Sequence, residues 1–215
     1  MRPKDQSRRR AELAAAARQV LLERGAVGLR VKDVADRSGL SPSSVLYYYP
    51  DLGDLLLDVA RGAIERYAEN RASAVRAVEG AAGQLRLAVH LGIPTGPEDE
   101  ESRLLYELDA LTGASRAFEL LSQGYFDRQV HLYESVLEAG AARGEIEPAA
   151  PTRTIARGFV SMEDGLGFQV VIGHPGIGAE EAERILLRYG SAMTGLDLEG
   201  VPLPDVDAES VAIRR

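Results

Sequence analysis

The chain contains no cysteine, which excludes a disulfide framework and thiolate chemistry. It also lacks a long apolar run: no hydrophobic stretch approaches the ~20 residues that a membrane-spanning helix needs. The basic N-terminal segment is not followed by an apolar segment, so we do not interpret it as a signal peptide. We therefore expect a cytoplasmic protein. Hydrophobic residues form 45% and charged residues 27% of the 215 residues, which is ordinary for a globular chain.

Charge is unevenly distributed along the chain. The net charge is −8, which taken alone argues against a nucleic-acid-binding protein. Residues 1–50, however, contain ten Lys or Arg and five Asp or Glu, whereas the remainder contains 15 and 28. Such asymmetry indicates a basic contact module on an acidic body. The alternative is that the basic segment is only a solvated helix face.

Residues 30–49 have the pattern of two short helices joined by a tight turn. Residues 31–35 carry an apolar stripe at helical spacing. Gly39 can adopt a positive φ and end that helix, and Ser41 followed by Pro42 can cap and begin the next one. This is the helix-turn-helix plan, in which the second helix enters the DNA major groove.

Three consecutive tyrosines, Tyr47, Tyr48 and Tyr49, lie on the second of these helices. Neighbouring helical residues are ~100° apart around the axis, so the three rings cannot all face one core. We predict that Tyr49 is a core residue. We predict that Tyr47 and Tyr48 point outward.

The rest of the chain shows helical periodicity and no strand alternation with turn chemistry, which predicts an all-α fold of about nine helices. Glycine and proline interrupt the pattern at the predicted helix ends. Outside the helix-turn-helix, the predicted helices lie at about residues 7–24, 51–78, 84–91, 98–112, 115–143, 152–172 and 179–193.

The helix-turn-helix resembles that of the TetR-type (tetracycline-repressor-like) transcriptional regulators. The similarity is carried by residues 31–50 (VKDVADRSGLSPSSVLYYYP) and 54–56 (DLL), and in the body by residues 144–146 (GEI) and 163–169 (EDGLGFQ). The resemblance implies a homodimeric, ligand-responsive DNA-binding regulator, a repressor that a small molecule releases from a palindromic operator. It implies no enzymatic activity, no cofactor and no metal.

The same resemblance divides the chain into three parts. Residues 1–50 form a helix-turn-helix head, residues 51–196 a helical ligand-binding and dimerisation body, and residues 197–215 a flexible tail. Three positions depart from the family pattern: Arg30 replaces a Thr that commonly caps the second helix, Leu52 replaces a Lys, and Leu46 replaces a Tyr. An arginine at position 30 is not a helix-capping residue. The operator preference of relatives therefore does not transfer.

Phosphate contacts position a DNA-binding head, whereas contacts to base edges select the sequence. We predict phosphate contacts from the N-terminal amides of the fourth helix, and from Arg8, Arg9, Arg10, Arg30, Lys32 and Tyr48. We predict base contacts from the side chains that combine hydroxyls with an aromatic surface, namely Ser43, Ser44 and Tyr47.

The body is predicted to hold a small-molecule pocket and a dimer face. Aromatic and polar groups on largely apolar helices suit an amphipathic ligand. The predicted pocket residues are Tyr106, Asp109, Phe126, Gln129, Tyr133, Phe159 and Glu163. The predicted dimer residues on the last two helices are Met162, Leu166, Val170, Ile185, Leu186, Tyr189 and Met193. In each case the alternative is ordinary packing within one subunit. Asp109 and Glu163 hint at a cationic group on the ligand.

Enzyme signatures are weak in this sequence. His90, His131 and His174 do not have metal-ligand spacing. The glycine-rich segment 173–178 follows a helix rather than a strand, so we interpret it as a connector and not as a phosphate loop. An all-α enzyme, or a helical adaptor that does not bind DNA, is the alternative class.

Overall fold

The computed structural model describes residues 3–205, with side chains from residue 6 onward. Within this range the chain forms nine α-helices and one short 3-10 turn and contains no strand, which confirms the all-α prediction. The helices are α1 Pro3–Arg24, α2 Val31–Ser38, α3 Pro42–Tyr48, α4 Leu52–Arg76, α5 Ala81–Gly92, α6 Glu100–Asp109, α7 Arg116–Ala142, α8 Thr152–Val171 and α9 Ala179–Thr194. No described helix combines the length and the apolar character needed to cross a membrane.

The chain forms two compact units. The head unit comprises Met1–Glu65 and Arg103–Ser122, and the body unit comprises Arg66–Ser102 and Gln123–Arg215. Helices α4, α6 and α7 each contribute residues to both units. The head unit therefore extends beyond the helix-turn-helix, and it includes parts of α4, α6 and α7 that the sequence division placed in the body.

The turn of the helix-turn-helix has the predicted geometry. Gly39 ends α2 with φ of 68°, a left-handed conformation that suits a residue without a Cβ. Ser41 caps α3, because its Oγ accepts a hydrogen bond from the Ser44 N–H at 3.1 Å, and Pro42 follows at the first helical position. Val45 and Tyr49 then face the core, where both are almost completely buried.

Arg30 occupies the N-cap position of α2, but its side chain makes no capping hydrogen bond, as expected for an arginine. The guanidinium has no acceptor, so the arrangement depends on Asp33, whose Oδ2 accepts a hydrogen bond from the Arg30 backbone N–H at 2.9 Å. Asp33 Oδ1 also accepts from Arg24 at 2.6 Å. An acidic residue in the first turn thus compensates for the missing side-chain cap.

Helix α6 forms hydrogen bonds with the end of α1 and with the residues that follow it in the head unit. The Ala26 backbone N–H donates to Glu107 Oε2 at 2.7 Å, and the Arg103 guanidinium donates to the Leu22 carbonyl at 3.1 Å. The Leu22 carbonyl is one of the four at the end of α1 that have no partner within the helix. Arg103 and Glu107 are one turn apart on α6, so a single face of this helix holds the connector between α1 and α2.

Helices α8 and α9 pack closely in the body unit through two glycines. A Cβ at Gly158 would overlap with the Tyr189 hydroxyl, and a Cβ at Gly190 would lie 2.6 Å from Leu198 Cδ1 and 2.8 Å from Phe159 Cζ. The Tyr189 hydroxyl donates to the Ile155 carbonyl at 3.1 Å. Each glycine therefore leaves a notch, a space without a Cβ, into which large side chains of the same chain pack.

The segment after α9 packs on that helix at Leu198 and Glu199. Leu198 is fully buried, and its backbone N–H donates to Ser191 Oγ at 3.0 Å. Arg188 on α9 also pairs with Glu199 at 3.3 Å. Residues 206–215 of the predicted flexible tail lie outside the described residues, so flexibility there stays a prediction.

Candidate DNA-binding surface and buried polar cluster

Helix α3 presents one polar face to solvent. Ser43 and Tyr47 are exposed, with 67% of Tyr47 accessible, and Ser44 is half-buried. The Ser41 Oγ lies 2.9 Å from Ser43 Oγ and 2.8 Å from Ser44 Oγ, so three hydroxyls cluster at the start of the helix. All three predicted base-contacting residues therefore share the first two turns of one exposed helix.

The burial of the three consecutive tyrosines agrees with the prediction for Tyr47 and Tyr49. Tyr49 is buried and Tyr47 is exposed, but Tyr48 is half-buried and packs against the head core. The Tyr47 and Tyr48 rings meet edge to face with centroids 5.1 Å apart. Leu46 is 43% exposed on the same helix, a surface position that the sequence pattern identified only as a departure from the family. An apolar side chain there can contact a thymine methyl group.

The predicted phosphate-contacting cations have different surroundings. Arg30 and Lys32 are exposed at the N-cap and in the first turn of α2. Arg9 forms an exposed pair with Glu12 at 2.7 Å, and the same Glu12 lies 3.7 Å from Arg8. Exposed pairs of this kind contribute little energy and exchange readily for other anions.

Arg10 is partly exposed and makes its contacts with other helices of the head unit. Its guanidinium donates to Asp58 Oδ2 at 2.7 Å and to the Tyr48 carbonyl at 3.1 Å, and it lies 4.1 Å from the centroid of the Tyr49 ring. These contacts join α1, the end of α3, and α4. Arg10 therefore differs from Arg9, although the two were predicted together as phosphate contacts.

A buried arginine that sequence reasoning missed organises the polar groups of the body unit. Arg71 on α4 is only 1% exposed. One of its terminal nitrogens donates to Gln129 Oε1 at 2.5 Å, and the other lies within hydrogen-bond distance of Glu163 Oε1 at 2.5 Å, the Ala88 carbonyl at 2.7 Å and the Tyr133 hydroxyl at 3.0 Å. The Tyr133 hydroxyl also donates to Glu163 Oε1. We call Arg71, Gln129, Tyr133 and Glu163 the buried cluster.

Aromatic rings enclose the buried cluster. Tyr133 stacks on Phe159 with centroids 4.4 Å apart and planes 3° from parallel, and Tyr189 meets Phe159 edge to face at 5.0 Å. The Arg71 guanidinium lies 5.4 Å from the Tyr133 ring centroid. A cation near an aromatic ring is electrostatically favourable, so Arg71 already makes the contact that a cationic ligand would seek.

The electrostatics of the cluster follow from burial and from the proximity of opposite charges. Burial disfavours the charged guanidinium, but the Glu163 carboxylate outweighs this effect and raises the pKa of Arg71. Burial and the nearby carboxylate raise the pKa of the Tyr133 hydroxyl, so it stays protonated and can donate. Burial also raises the pKa of Glu163, and the opposing effects of Arg71 and Tyr133 only partly offset it. Each group of the cluster thus depends on its partners.

The backbone of α5 approaches the cluster at Gly92. A Cβ at this position would overlap with Glu163 Oε1 and with a terminal nitrogen of Arg71. Gly92 is the last residue of α5, where a side chain of any kind would displace the ion pair. The glycine is therefore a spatial requirement of the cluster.

The structure brings together four of the seven predicted pocket residues: Gln129, Tyr133, Phe159 and Glu163. Phe126 lies in the same unit against Tyr125 and is partly exposed. Tyr106 and Asp109 belong to the head unit. Asp109 is exposed and accepts a hydrogen bond from Thr112 at 3.1 Å. Asp109 therefore belongs to a different unit from the buried cluster, and Glu163 already has Arg71 as its counter-charge.

The predicted dimer residues also divide into two groups. Val170 is 2% exposed and Leu186 is fully buried within one chain, and Tyr189 is engaged by Ile155 and Phe159, so these three are intrachain packing residues. The other four members are partly exposed, as Tyr189 also is: Met162, Leu166, Ile185 and Met193. Sequence reasoning missed two exposed apolar residues near the end of α8, Phe168 at 49% and Ile172 at 57% exposure.

Family models match both parts of the chain. Residues 81–195 match the model described as BetI-type transcriptional repressor, C-terminal, which covers more than half of the chain. Residues 13–59 match the model described as bacterial regulatory proteins, tetR family. None of the curated proteins that were compared matches the chain.

Solved structures share the fold. One is described as a transcriptional regulator from Saccharomonospora viridis in complex with choline, with a TM-score of 0.79, 20% identity, and coverage of 87% of this chain and 98% of that one. A TetR-family transcriptional regulator from Rhodococcus sp. has a TM-score of 0.74 and 24% identity, with coverage of 86% of this chain and 98% of that one. A TetR transcription regulator from Haloarcula marismortui has a TM-score of 0.73 and 22% identity, with coverage of 89% of this chain and 99% of that one. The matched family models, supported by this common fold, show that the chain belongs to the tetR family of bacterial transcriptional regulators and is a DNA-binding repressor.

Proposed function

We propose that the protein acts in the cytoplasm as a homodimer, that it reads a palindromic operator with two copies of α3, and that a small molecule bound in the body unit releases it. The observation that carries the proposal is the division of α3 between a buried side, with Val45 and Tyr49, and a polar exposed side, with Ser43 and Tyr47. A recognition helix needs one side anchored in its domain and the other free to enter the major groove.

The surroundings of α3 supply the phosphate contacts. Arg30 and Lys32 are exposed on α2 and its N-cap, and Arg8 and Arg9 lie on the exposed start of α1. Cations that are exposed, or only loosely paired, can neutralise phosphates and release counterions from DNA. The charge of these positions therefore contributes to affinity, whereas the hydroxyls of α3 contribute to sequence preference.

A dimer accounts for the exposed apolar residues of α8. Phe168 and Ile172 lie near its end, and Met162 and Leu166 are partly exposed on the same helix. Self-association across a twofold axis that involves this helix would cover exposed apolar side chains. Two heads placed about 34–36 Å apart, or a multiple of this distance, would then read two half-sites of a palindrome.

Replacing Tyr47 with alanine is expected to lower operator affinity by at least tenfold, because it removes a large exposed contact from α3. The operator would first be identified as the genomic fragment that the wild-type protein captures, and affinity would then be measured by fluorescence anisotropy. Leu120→Ala is the control, since Leu120 is also exposed in the head unit but lies on α7. Capture of no fragment, or equal losses in the two variants, would contradict the proposed role of α3.

Effector binding is expected to weaken operator binding by roughly 5- to 150-fold while the dimer stays intact, the usual range for coupling between two sites. Choline is the first compound to test because the Saccharomonospora viridis neighbour binds it. Anionic and neutral compounds complete the screen, since Arg71 already neutralises Glu163. Compounds that raise the melting temperature would be added to the operator complex, with dimer mass checked by light scattering. A tight ligand that left DNA affinity unchanged would contradict this coupling.

A further inference from the structure

We infer that Arg10, Tyr49 and Asp58 form a positioning cluster that fixes the end of the recognition helix α3 in the head unit, and that Arg10 does not contact phosphate. The inference rests on the proposed function, because it assigns roles within DNA binding. It also changes the role of Arg10, which its position among three consecutive arginines had suggested was a phosphate contact.

The geometry of this cluster joins three helices through one carboxylate. Asp58 Oδ2 on α4 accepts from the Arg10 guanidinium of α1 at 2.7 Å and from the Tyr49 hydroxyl at 2.9 Å. Tyr49 is the C-cap residue of α3. Displacement of Asp58 would remove the carboxylate acceptor that Arg10 and Tyr49 share, and displacement of Arg10 would remove the donor that joins Asp58 to the Tyr48 carbonyl.

Arg10 also caps the recognition helix. The guanidinium donates to the Tyr48 carbonyl at 3.1 Å, and Tyr48 is the last residue of α3. The last carbonyls of a helix have no partner within the helix and carry the negative end of its dipole, so a cation placed there is doubly favourable. Arg10 therefore acts on the helix that would read the bases, although it lies 38 residues before the carbonyl that it binds.

The charge states agree with this geometry. Burial and the Asp58 carboxylate raise the pKa of Tyr49 to about 12, so its hydroxyl remains protonated and donates. Burial works against ionisation of Asp58, but the hydrogen bonds from Arg10 and Tyr49 prevail and lower its pKa. The hydrogen bond to Asp58 in turn raises the pKa of Arg10.

Arg9 provides a matched comparison on the same helix. The side chains of Arg9 and Arg10 are equally exposed, each at 43%, so accessibility does not distinguish them. Their partners do: Arg9 pairs with Glu12 three residues away, whereas Arg10 binds Asp58 and Tyr48 across the head unit. A phosphate can replace Glu12 at little cost, but one that drew Arg10 away would uncap α3.

The test measures operator affinity at several salt concentrations for full-length Arg10→Gln, Arg9→Gln and Asp58→Asn, with the fragment captured by the wild-type protein. Log affinity falls with log salt, and each lost phosphate contact decreases the steepness of this fall by about 0.9, or by about 1.8 for two copies in a dimer. We expect this decrease for Arg9→Gln. For Arg10→Gln we expect an affinity loss of at least tenfold with an unchanged slope.

Asp58→Asn separates positioning from charge by the sign of its effect. Removing a negative charge from a DNA-binding head would strengthen binding if charge alone mattered, whereas loss of positioning weakens it. We expect at least tenfold weaker binding. We also expect the Arg10→Lys protein to bind the operator weakly although lysine keeps the positive charge. An ammonium group lacks the planar guanidinium that contacts both Asp58 and the Tyr48 carbonyl.

Two results would overturn the inference: a salt slope lowered by Arg10→Gln as much as by Arg9→Gln, or an Asp58→Asn protein that binds as tightly as the wild type. Thermal denaturation would verify that each variant is folded at the assay temperature. Wild-type protein that captured no fragment would instead refute the proposed function, so the two failures are distinguishable.

Discussion

Substituting methionine for Arg71 is expected to lower the free energy of unfolding by about 3–5 kcal/mol, because it leaves the Glu163 carboxylate buried without its counter-charge. The substitution also removes the donors to Gln129 and the Ala88 carbonyl. Urea denaturation at a fixed protein concentration would measure the loss, since the proposed dimer would make stability depend on concentration.

Two further variants make this experiment decisive. Replacing both charged residues, as Arg71→Met with Glu163→Leu, is expected to recover most of the loss, because no unpaired buried charge remains. Arg66→Met on the same helix is the control: Arg66 is 57% exposed and lies 3.9 Å from Glu101, so its removal should cost no more than about 1 kcal/mol. If Arg71→Met lowered the free energy of unfolding as little as Arg66→Met, the structural role of the buried cluster would be contradicted.

The buried cluster also limits which effectors can bind beside it. A cationic compound would have to compete with Arg71 for Glu163, and an anionic one would have to compete with Glu163 for Arg71. A ligand gains affinity only from interactions that exceed those it displaces. We therefore expect the screen to favour compounds that extend the existing pair over compounds that replace one of its members.

Gly92→Ala is expected to be the most damaging single-methyl addition in the body unit, with a loss of about 3 kcal/mol or more. The new Cβ would overlap with Glu163 Oε1 and with Arg71, so the ion pair would have to separate or α5 would have to move. For a chain of this size such a loss lowers the melting temperature by roughly 6–12 °C, which differential scanning calorimetry would detect.

Gly124→Ala is the matched control for the added methyl group. Gly124 lies within α7 and is exposed, and a methyl group there would meet open space, with nothing within 4 Å apart from its chain neighbours and the adjacent backbone of its own helix. Alanine is favoured over glycine in a helix by up to about 1 kcal/mol, so this variant should be slightly more stable than the wild type. Opposite signs for the two substitutions are the expected result, and a stabilising Gly92→Ala would show that the close approach of α5 is not required.

Local features of the fold could be predicted from sequence because their causes are local. Gly39, Ser41 and Pro42 determine the turn through backbone conformation and capping within a few residues. The separation of Tyr47 from Tyr49 follows from helix geometry alone. Most helix ends were predicted to within about three residues for the same reason.

Long-range pairs could not be predicted in this way. Arg10 and Asp58 are 48 residues apart, and Arg71 meets Glu163 across 92 residues. Arg71 follows Tyr67 by one helical turn and so continues an apolar stripe, which was the available signal, but helical arginines are usually solvated. The sequence therefore suggested a polar ligand pocket with an unpaired acid, where the structure places a complete ion pair.

Apolar periodicity also does not distinguish packing within a chain from packing between chains. Val170 and Leu186 have the spacing of a dimer face, yet both are buried within one chain. Phe168 and Ile172 lie off that stripe and remain exposed. Which side of a helix a neighbour covers depends on tertiary structure, so the sequence pattern alone could not separate Val170 and Leu186 from the partly exposed residues of the same helices.

The fit of Tyr189 into the notch at Gly158 has a consequence for divergence among relatives. A larger residue at position 158 is tolerated only after position 189 has become smaller, because the tyrosine hydroxyl occupies the space of the missing Cβ. The two positions should therefore covary, and so should position 190 with positions 159 and 198, which fill the second notch. Ancestral substitutions at either notch would have had to occur in a restricted order.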